Sequence, residues 1–464
     1  MIVDRSQRLG EEGIPLLLLT FSAPAIVGMV AHALYNVVDR IFIGQAVGPE
    51  GLAAATVAFP FMMILMAFAM LTGYGATALV SICLGEQRRD RAEEVLGNAA
   101  VLMIVVSAVL TLVGLVWTDS LLVLFGASER ILPYARVYLE VIACGTVFQT
   151  VSFGLNSVIR GEGNPHIAMM SMLIGAILNT ILDPILLFGF QMGMQGAAIA
   201  TVVSQAVSAA WVIGYFLSGR SLLRLLPRNL RLRWGVCRDI VAVGSPSFAL
   251  HLAASMLNTI LNNQLRAQGG DLAISAMGIV YAVVLFIAMP IQGINLGAQP
   301  IIGYNYGACR YARVVKTLKI AVAATTAIAI AGFLLTMIFP EQLVRLFHDE
   351  DQHLVRLGAR ALRISLAMLP IIGFQVIGAN YFQAIGRPRQ AMFLMLNRHI
   401  LLLIPAVLIL PSFLGLDGVW AAMPFADFVG CLVTAVFLWR EMRRLHRRHV
   451  AISDRGYSAA ESPP

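Results

Sequence analysis

Residues Pro24–Gly44 read PAIVGMVAHALYNVVDRIFIG. The apolar run leading into and through this stretch is long enough to cross a bilayer, which takes about 20 residues. Near its far end it carries Asn36 and then Asp39. A carboxylate at that depth costs roughly 2.5–3.5 kcal/mol on insertion scales, so a bound cation, a proton or a polar partner must offset it. The stretch therefore reads as a membrane helix whose Asp39 is a working group, in a protein that moves something across the membrane.

Composition extends that reading to the whole chain. Of 464 residues, 59% are hydrophobic and only 12% charged, against about 25% charged in soluble domains, and mean hydropathy is +0.80. A net charge of +8 would suggest nucleic acid in a soluble protein; here the positive residues lie between apolar runs, where they set topology. Cys83, Cys144, Cys237, Cys309 and Cys431 are scattered with no C-x-x-C, which argues against a disulfide framework and a metal cluster. The polar residues 1–13 and the long first run do not make a cleavable signal peptide. The only lysines, Lys316 and Lys319, do not follow a glycine as a P-loop requires, and there is no H-E-x-x-H or G-x-S-x-G. No enzyme and no cofactor is expected, and an ion gradient is left as the energy source.

Twelve apolar runs of spanning length follow one another, at about 15–40, 52–82, 95–118, 132–156, 167–190, 195–217, 239–263, 274–303, 318–340, 357–382, 391–413 and 418–439. The fold class expected is an all-α polytopic membrane protein of twelve helices. Basic residues follow spans two (Arg88, Arg89, Arg91), eight (Arg310, Arg313, Lys316), ten (Arg387, Arg389) and twelve (Arg440, Arg443, Arg444). Positive-inside then places both termini in the cytoplasm. The expected domains are a cytoplasmic N-terminus (1–14), an N-lobe (15–217), an Arg-rich linker (218–238), a C-lobe (239–440) and a cytoplasmic tail (441–464) that is irregular from Ala451.

The halves repeat. Pro24 and Pro246 are 222 apart, as are Asn36 and Asn258, Gly75 and Gly297, Gly85 and Gly307, and Gly196 and Gly418; Gly163 and Pro165 match Gly386 and Pro388 at 223. Six spans per repeat is even, so the repeats share an orientation. They should be related by a pseudo-two-fold along the membrane normal, with substrate between them.

Three further groups match Asp39 in depth. Asn179 and Asp183 in span five are i, i+4 and share a helix face, and Thr201 lies in span six. At about 1.5 Å rise per residue all four fall roughly 10 Å below the outer surface. Two carboxylates, an amide and a hydroxyl at one level form a candidate site for a hard cation or a proton. Two such charges resist coexistence in an apolar setting, the physical basis of an ion-coupled switch. The competing reading is that each Asp merely hydrogen-bonds a neighbouring helix. Pro184 frees a backbone carbonyl one turn earlier, and Pro24 lets span one bend or holds a static kink. The second half does not copy the site: Leu261 stands where Asp39's counterpart would be, while Arg398 and His399 (span eleven) and Asp427 (span twelve) suggest a structural ion pair or a proton relay. His32 and His251 read as core or lining residues.

These residues are similar to the multidrug and toxic compound extrusion (MATE) exporters. The resemblance rests on Asn36-Val-Val-Asp39-Arg-Ile-Phe-Ile-Gly44, on Arg160-Gly-Glu-Gly-Asn-Pro165 and on Gln383-Ala-Ile-Gly-Arg-Pro388, and covers residues 12–445. It implies a bacterial inner-membrane antiporter that exports amphipathic, often cationic compounds in exchange for Na⁺ or H⁺ by alternating access. The family's N-lobe cation ligands match Asp39, Asn179, Asp183 and Thr201, with Na⁺ the candidate metal, and the proline at Pro24 is associated with bending of the first helix. Spans seven and ten offer Asn258 and Gln375 where the NorM branch has acids; with Pro24 and Asn36 these are the candidates for cavity or gate. The pattern is closer to the DinF- and MepA-like branches. The implied partners are small-molecule drugs and the lipid bilayer, without nucleic acid, for a chain expected to be monomeric. The rival within the same superfamily is a lipid-linked oligosaccharide flippase, which should show a strongly basic cavity.

Overall fold

A computed structural model describes residues 5–347 and 351–460, and side chains over 7–347 and 351–448. The described residues are almost wholly helical and contain no strand. Ten helices among them are long and apolar enough to cross a membrane. One, Trp234–Gly307, runs 74 residues and breaks at Gly270 (φ 65°, ψ −160°), so it holds spans seven and eight. That conformation is open to glycine alone; helix runs up to it from both sides, replacing the polar connection expected over 264–273. A further span is the pair Gln352–Ser365 and Leu369–Ala384, bent by 50°. Pro370 accounts for that break, because proline cannot donate into the preceding turn and disfavours helix at the residue before it. Ten, one more for the break and one for the bent pair give the twelve spans that periodicity and length suggested. The last helix, Leu416–Ala460, continues past Ala451, where an irregular tail was expected; 461–464 lie outside the described residues.

The repeat is visible in element lengths. Spans three (Arg89–Val116) and nine (Tyr311–Ile338) both have 28 residues and begin 222 apart. The short helices Thr118–Leu124 and Pro340–Arg345 that follow them also begin 222 apart.

The chain forms two compact units. The first takes in the described residues up to Leu9 and Ala23–Phe248; the second takes in Gly10–Ser22 and everything described from Ala249 on. The units therefore follow the two repeats except at the first helix of each. Span one (Ile14–Ala46) begins in the second unit and passes to the first beside Pro24. Span seven begins in the first and passes to the second beside Pro246. Each unit is thus completed by the lead-in of the other repeat.

That exchange explains the repeated glycines Gly75 and Gly297. In the first unit span two (Pro49–Gly85) crosses the start of span seven so closely that a Cβ on Gly75 would overlap the carbonyl of Ile240, and the backbone N of Gly244 would stand 3.1 Å away. In the second unit a Cβ on Gly297 would stand 2.6 Å from Ser22 Oγ and 2.9 Å from its backbone N. Gly244 and Ser22 are themselves 222 apart, so one crossing occurs twice. Polar ends fix both lead-ins. The linker docks through Arg233 N to Asn98 Oδ1 (2.7 Å) and Arg233 Nη1 to Glu94 Oε1 (2.6 Å). The N-terminal segment docks through Arg310 Nη1 to the Gly10 carbonyl (2.6 Å) and Arg313 Nη2 to that of Glu12 (2.7 Å).

Within the first unit, span four (Leu132–Gly161) is the hub, packed against spans two, three and six. Phe61, Leu65, Leu139 and Met194 fill the core beside the site described next.

Candidate functional site

The first unit brings together all four residues that depth-matching singled out. Asp39 comes from span one, Asn179 and Asp183 from span five (Pro165–Gly189), and Thr201 from span six (Gly193–Leu217). All are buried: Asp39 is 9% exposed, Thr201 5%, Asn179 2% and Asp183 0%. One helical turn carries Asn179 onto Asp183, with Nδ2 at 3.4 Å from Oδ1. The same Nδ2 lies 3.4 Å from Thr201 Oγ1, which ties spans five and six. The Asp39 and Asp183 carboxyl groups are close enough to interact electrostatically. Span five changes to a π turn over Ile185–Gly189 directly after Pro184, so the helix is irregular beside the carboxylate, as π turns at functional sites often are.

The donor set is mostly oxygen and is not self-satisfied. Asp39 Oδ1, Asn179 Oδ1 and Asp183 Oδ2 are buried and have no hydrogen-bond partner. An unpaired buried acceptor is expensive, more so when charged. No basic side chain forms an ion pair with either carboxylate among the described residues; Arg40, next in sequence, is turned out with its guanidinium 5.5 Å from the Phe59 ring centroid. Three orphan oxygens, two of them carboxylate, meet what a hard monovalent cation asks of its ligands. A proton shared between the carboxyls would satisfy part of the same set.

Two tyrosines belong to this site and were missed. Tyr35 and Tyr138 lie within electrostatic reach of both carboxylates. Tyr35 precedes Asp39 by one turn and packs edge-on against His32 at 4.8 Å. Tyr138, buried on span four, directs its hydroxyl to Met62 Sδ at 3.9 Å. Helical spacing would have found Tyr35. Depth would have found Tyr138, six residues into span four as Thr201 is eight into span six. Asn36 borders the site but spends its amide on the His32 carbonyl at 2.6 Å. Pro24 stands 15 residues before Asp39, at the point where span one changes unit rather than beside the buried carboxylates.

Asn258 and Gln375 belong to the second unit. Asn258 Oδ1 accepts from Tyr281 (3.1 Å), and buried Gln375 lies against Gly430. Arg398 forms an ion pair with buried Asp427 between spans eleven and twelve, and its Nη1 meets His399 Nε2 at 3.3 Å. Of the two readings left open for these residues, the geometry displays the ion pair.

The repeat boundaries find an outside match. The MatE family profile matches residues 24–185 and again 246–408, so the two matched copies begin 222 apart and end 223 apart. The chain belongs to the MatE family. This MATE transporter is 27% identical to the multidrug export protein MepA of Staphylococcus haemolyticus over 433 residues, covering 93% of this chain and 95% of the relative. MepA of a Staphylococcus aureus strain is 27% identical over 428 residues, with 92% and 94% covered. Among solved structures, the MATE multidrug transporter DinF-BH superimposes with a TM-score of 0.87 at 41% identity, covering 94% of this chain and 98% of that one. A MATE in complex with MaL6 gives 0.89 at 25%, with 95% and 99% covered. These relatives lie where the DinF- and MepA-like resemblance of the MATE sequence pointed.

Proposed function

We propose that this multidrug efflux transporter of the MATE family is a secondary antiporter of the bacterial inner membrane. It exports amphipathic, often cationic compounds, and Na⁺ or H⁺ entering through Asp39, Asn179, Asp183 and Thr201 drives it. The observation that carries the reading is the buried carboxylate pair with its orphan oxygens. Such a set is stable with a positive ion or proton in it and costly without one, so its occupancy can be linked to a conformational preference. Asp39 transmits the change because it is the one ligand on span one, the helix that changes unit beside Pro24. Loaded, the carboxylates hold spans one, five and six together; unloaded, they repel and span one moves. A drug cation and the coupling ion then compete.

The flippase alternative needs free basic groups at mid-depth. Arg398, the basic residue placed there by sequence, is spent on Asp427, which favours the antiporter.

The test is efflux of a panel of lipophilic cations from proteoliposomes with Na⁺ and pH gradients imposed separately. One gradient should drive efflux in the wild type and fail to do so in Asp39→Asn and Asp183→Asn at equal protein insertion. Undiminished ion-driven efflux in both variants would remove the mechanism.

A further inference from the structure

The second unit contains a groove of about 600 Å³ between spans nine, ten and twelve. One wall is a single face of span nine, on which Lys319, Ala323, Ala327 and Ile330 recur every three or four residues. Phe374 closes it from span ten and Trp439 from span twelve. Apart from Lys319 and Thr326, the lining is apolar or aromatic, and the two alanines leave the space. The groove is polarised along its length. Lys319 lies near the start of span nine, with Lys316, also exposed, one turn earlier. At the same end Arg443 covers the Trp439 ring at 3.6 Å. From Lys319 to Ile330 is eleven residues, about 16 Å of helix at 1.5 Å each, close to half of a hydrocarbon core about 30 Å thick.

The repeat shows that this face departs from its counterpart. At the offset of 222, Lys316 and Lys319 stand where the first repeat has Glu94 and Gly97. There Glu94 pairs with Arg91 and Arg233, and Gly97 lies against Asn229 of the linker. The second repeat replaces an acid and a glycine by both of the chain's lysines. A lysine lays an apolar stem along hydrocarbon and delivers a compact charge at the interface. Lys319 at the mouth, with Lys316 one turn earlier on span nine and Arg443 one turn beyond Trp439 on span twelve, disfavours a cationic drug there and favours an anion.

We propose that this groove is a binding site for an anionic phospholipid of the cytoplasmic leaflet, its phosphate at Lys316, Lys319 and Arg443 and one acyl chain along Ala323, Ala327 and Ile330. The site rests on the orientation read from the basic loops and not on the cation chemistry of Asp39 and Asp183, so either can fail alone.

The experiment is native mass spectrometry of the full chain released from nanodiscs of mixed phosphatidylglycerol and phosphatidylcholine. The wild type should retain one phosphatidylglycerol per chain in preference to phosphatidylcholine. Each of Lys316→Gln and Lys319→Gln should lower that retention about fivefold, the worth of one basic residue near an anionic lipid surface. Ala323→Phe, which fills the trough without touching the charges, should remove retention of both lipids. Excess inorganic phosphate, the other source of the same anion, should displace nothing. Equal retention of the two lipids, an undiminished preference in the double Lys→Gln variant, or displacement by phosphate would each overturn the site.

Discussion

At the scale of single residues, the two buried carboxylates of the first unit and the ion pair of the second are opposite solutions to one problem. Asp427 forms an ion pair with Arg398; Asp39 and Asp183 form none among the described residues, and an amide and a hydroxyl, Asn179 and Thr201, stand beside them instead. In the proposed cation site Asn179 and Thr201 are neutral, so losing one should tune ion binding without abolishing it. Asn179→Ala and Thr201→Val are each expected to raise the half-saturating concentration of the coupling ion about threefold to tenfold, the worth of one modest polar contact. Titrating ion-driven efflux against ion concentration checks this. At the other pair, Arg398→Leu strands Asp427 and should lower stability by about 3–5 kcal/mol, whereas Arg398→Leu with Asp427→Leu should recover most of that loss. Thermal unfolding in detergent distinguishes the two, and a double variant as unstable as the single one would show that the pair is not self-contained.

At the scale of elements, the crossings at Gly75 and Gly297 make a paired prediction. Gly75→Val and Gly297→Val should each destabilise by about 1–3 kcal/mol through overpacking against backbone that cannot yield. Gly214, a helical glycine with nothing within 4 Å of where its Cβ would be, is the control: Gly214→Ala should be neutral or stabilising by up to about 1 kcal/mol. Unfolding midpoints of the three variants test the pair. A second repeated device closes the loops that follow spans four and ten. Asn164 Nδ2 reaches the Tyr215 hydroxyl at 3.0 Å on span six, and Arg387, 223 positions on, pairs with buried Glu441 on span twelve. The same loop is thus tied to the last span of its repeat twice, once by an amide and once by a charge. Periodicity could locate the glycines and prolines of these motifs because backbone constraints recur at fixed offset. It could not supply their partners, since Ile240 and Ser22 are set by which helix crosses, and that is decided by the chain changing units.

At the scale of the whole molecule, twelve spans and two repeats were legible because hydrophobic length and basic loops are summed over many residues. The clustering of Asp39, Asn179, Asp183 and Thr201 was legible for a related reason: polar groups in apolar helices are few, and helical rise converts position into depth. Tyr35 and Tyr138 escaped because aromatic residues are common in membrane helices and carry no signal until a neighbour is known. The unit boundaries at 22/23 and 248/249 escaped because they fall inside apolar helices, with no change of composition to mark them. The exchange also predicts how the chain can be divided. Residues 249–464 alone lack Gly10–Ser22 and should not yield a monodisperse species on size exclusion, whereas fragments divided within the linker, between Arg220 and Pro227, and produced together should reassemble into one.

The exchanged lead-in has a consequence during synthesis. Gly10 and Glu12 leave the ribosome early, yet the arginines that hold their carbonyls, Arg310 and Arg313, are 300 residues further on. At roughly 5–20 residues per second the amino-terminal segment waits on the order of 15 s to a minute for its partner, a window in which a chaperone or insertase must shelter it.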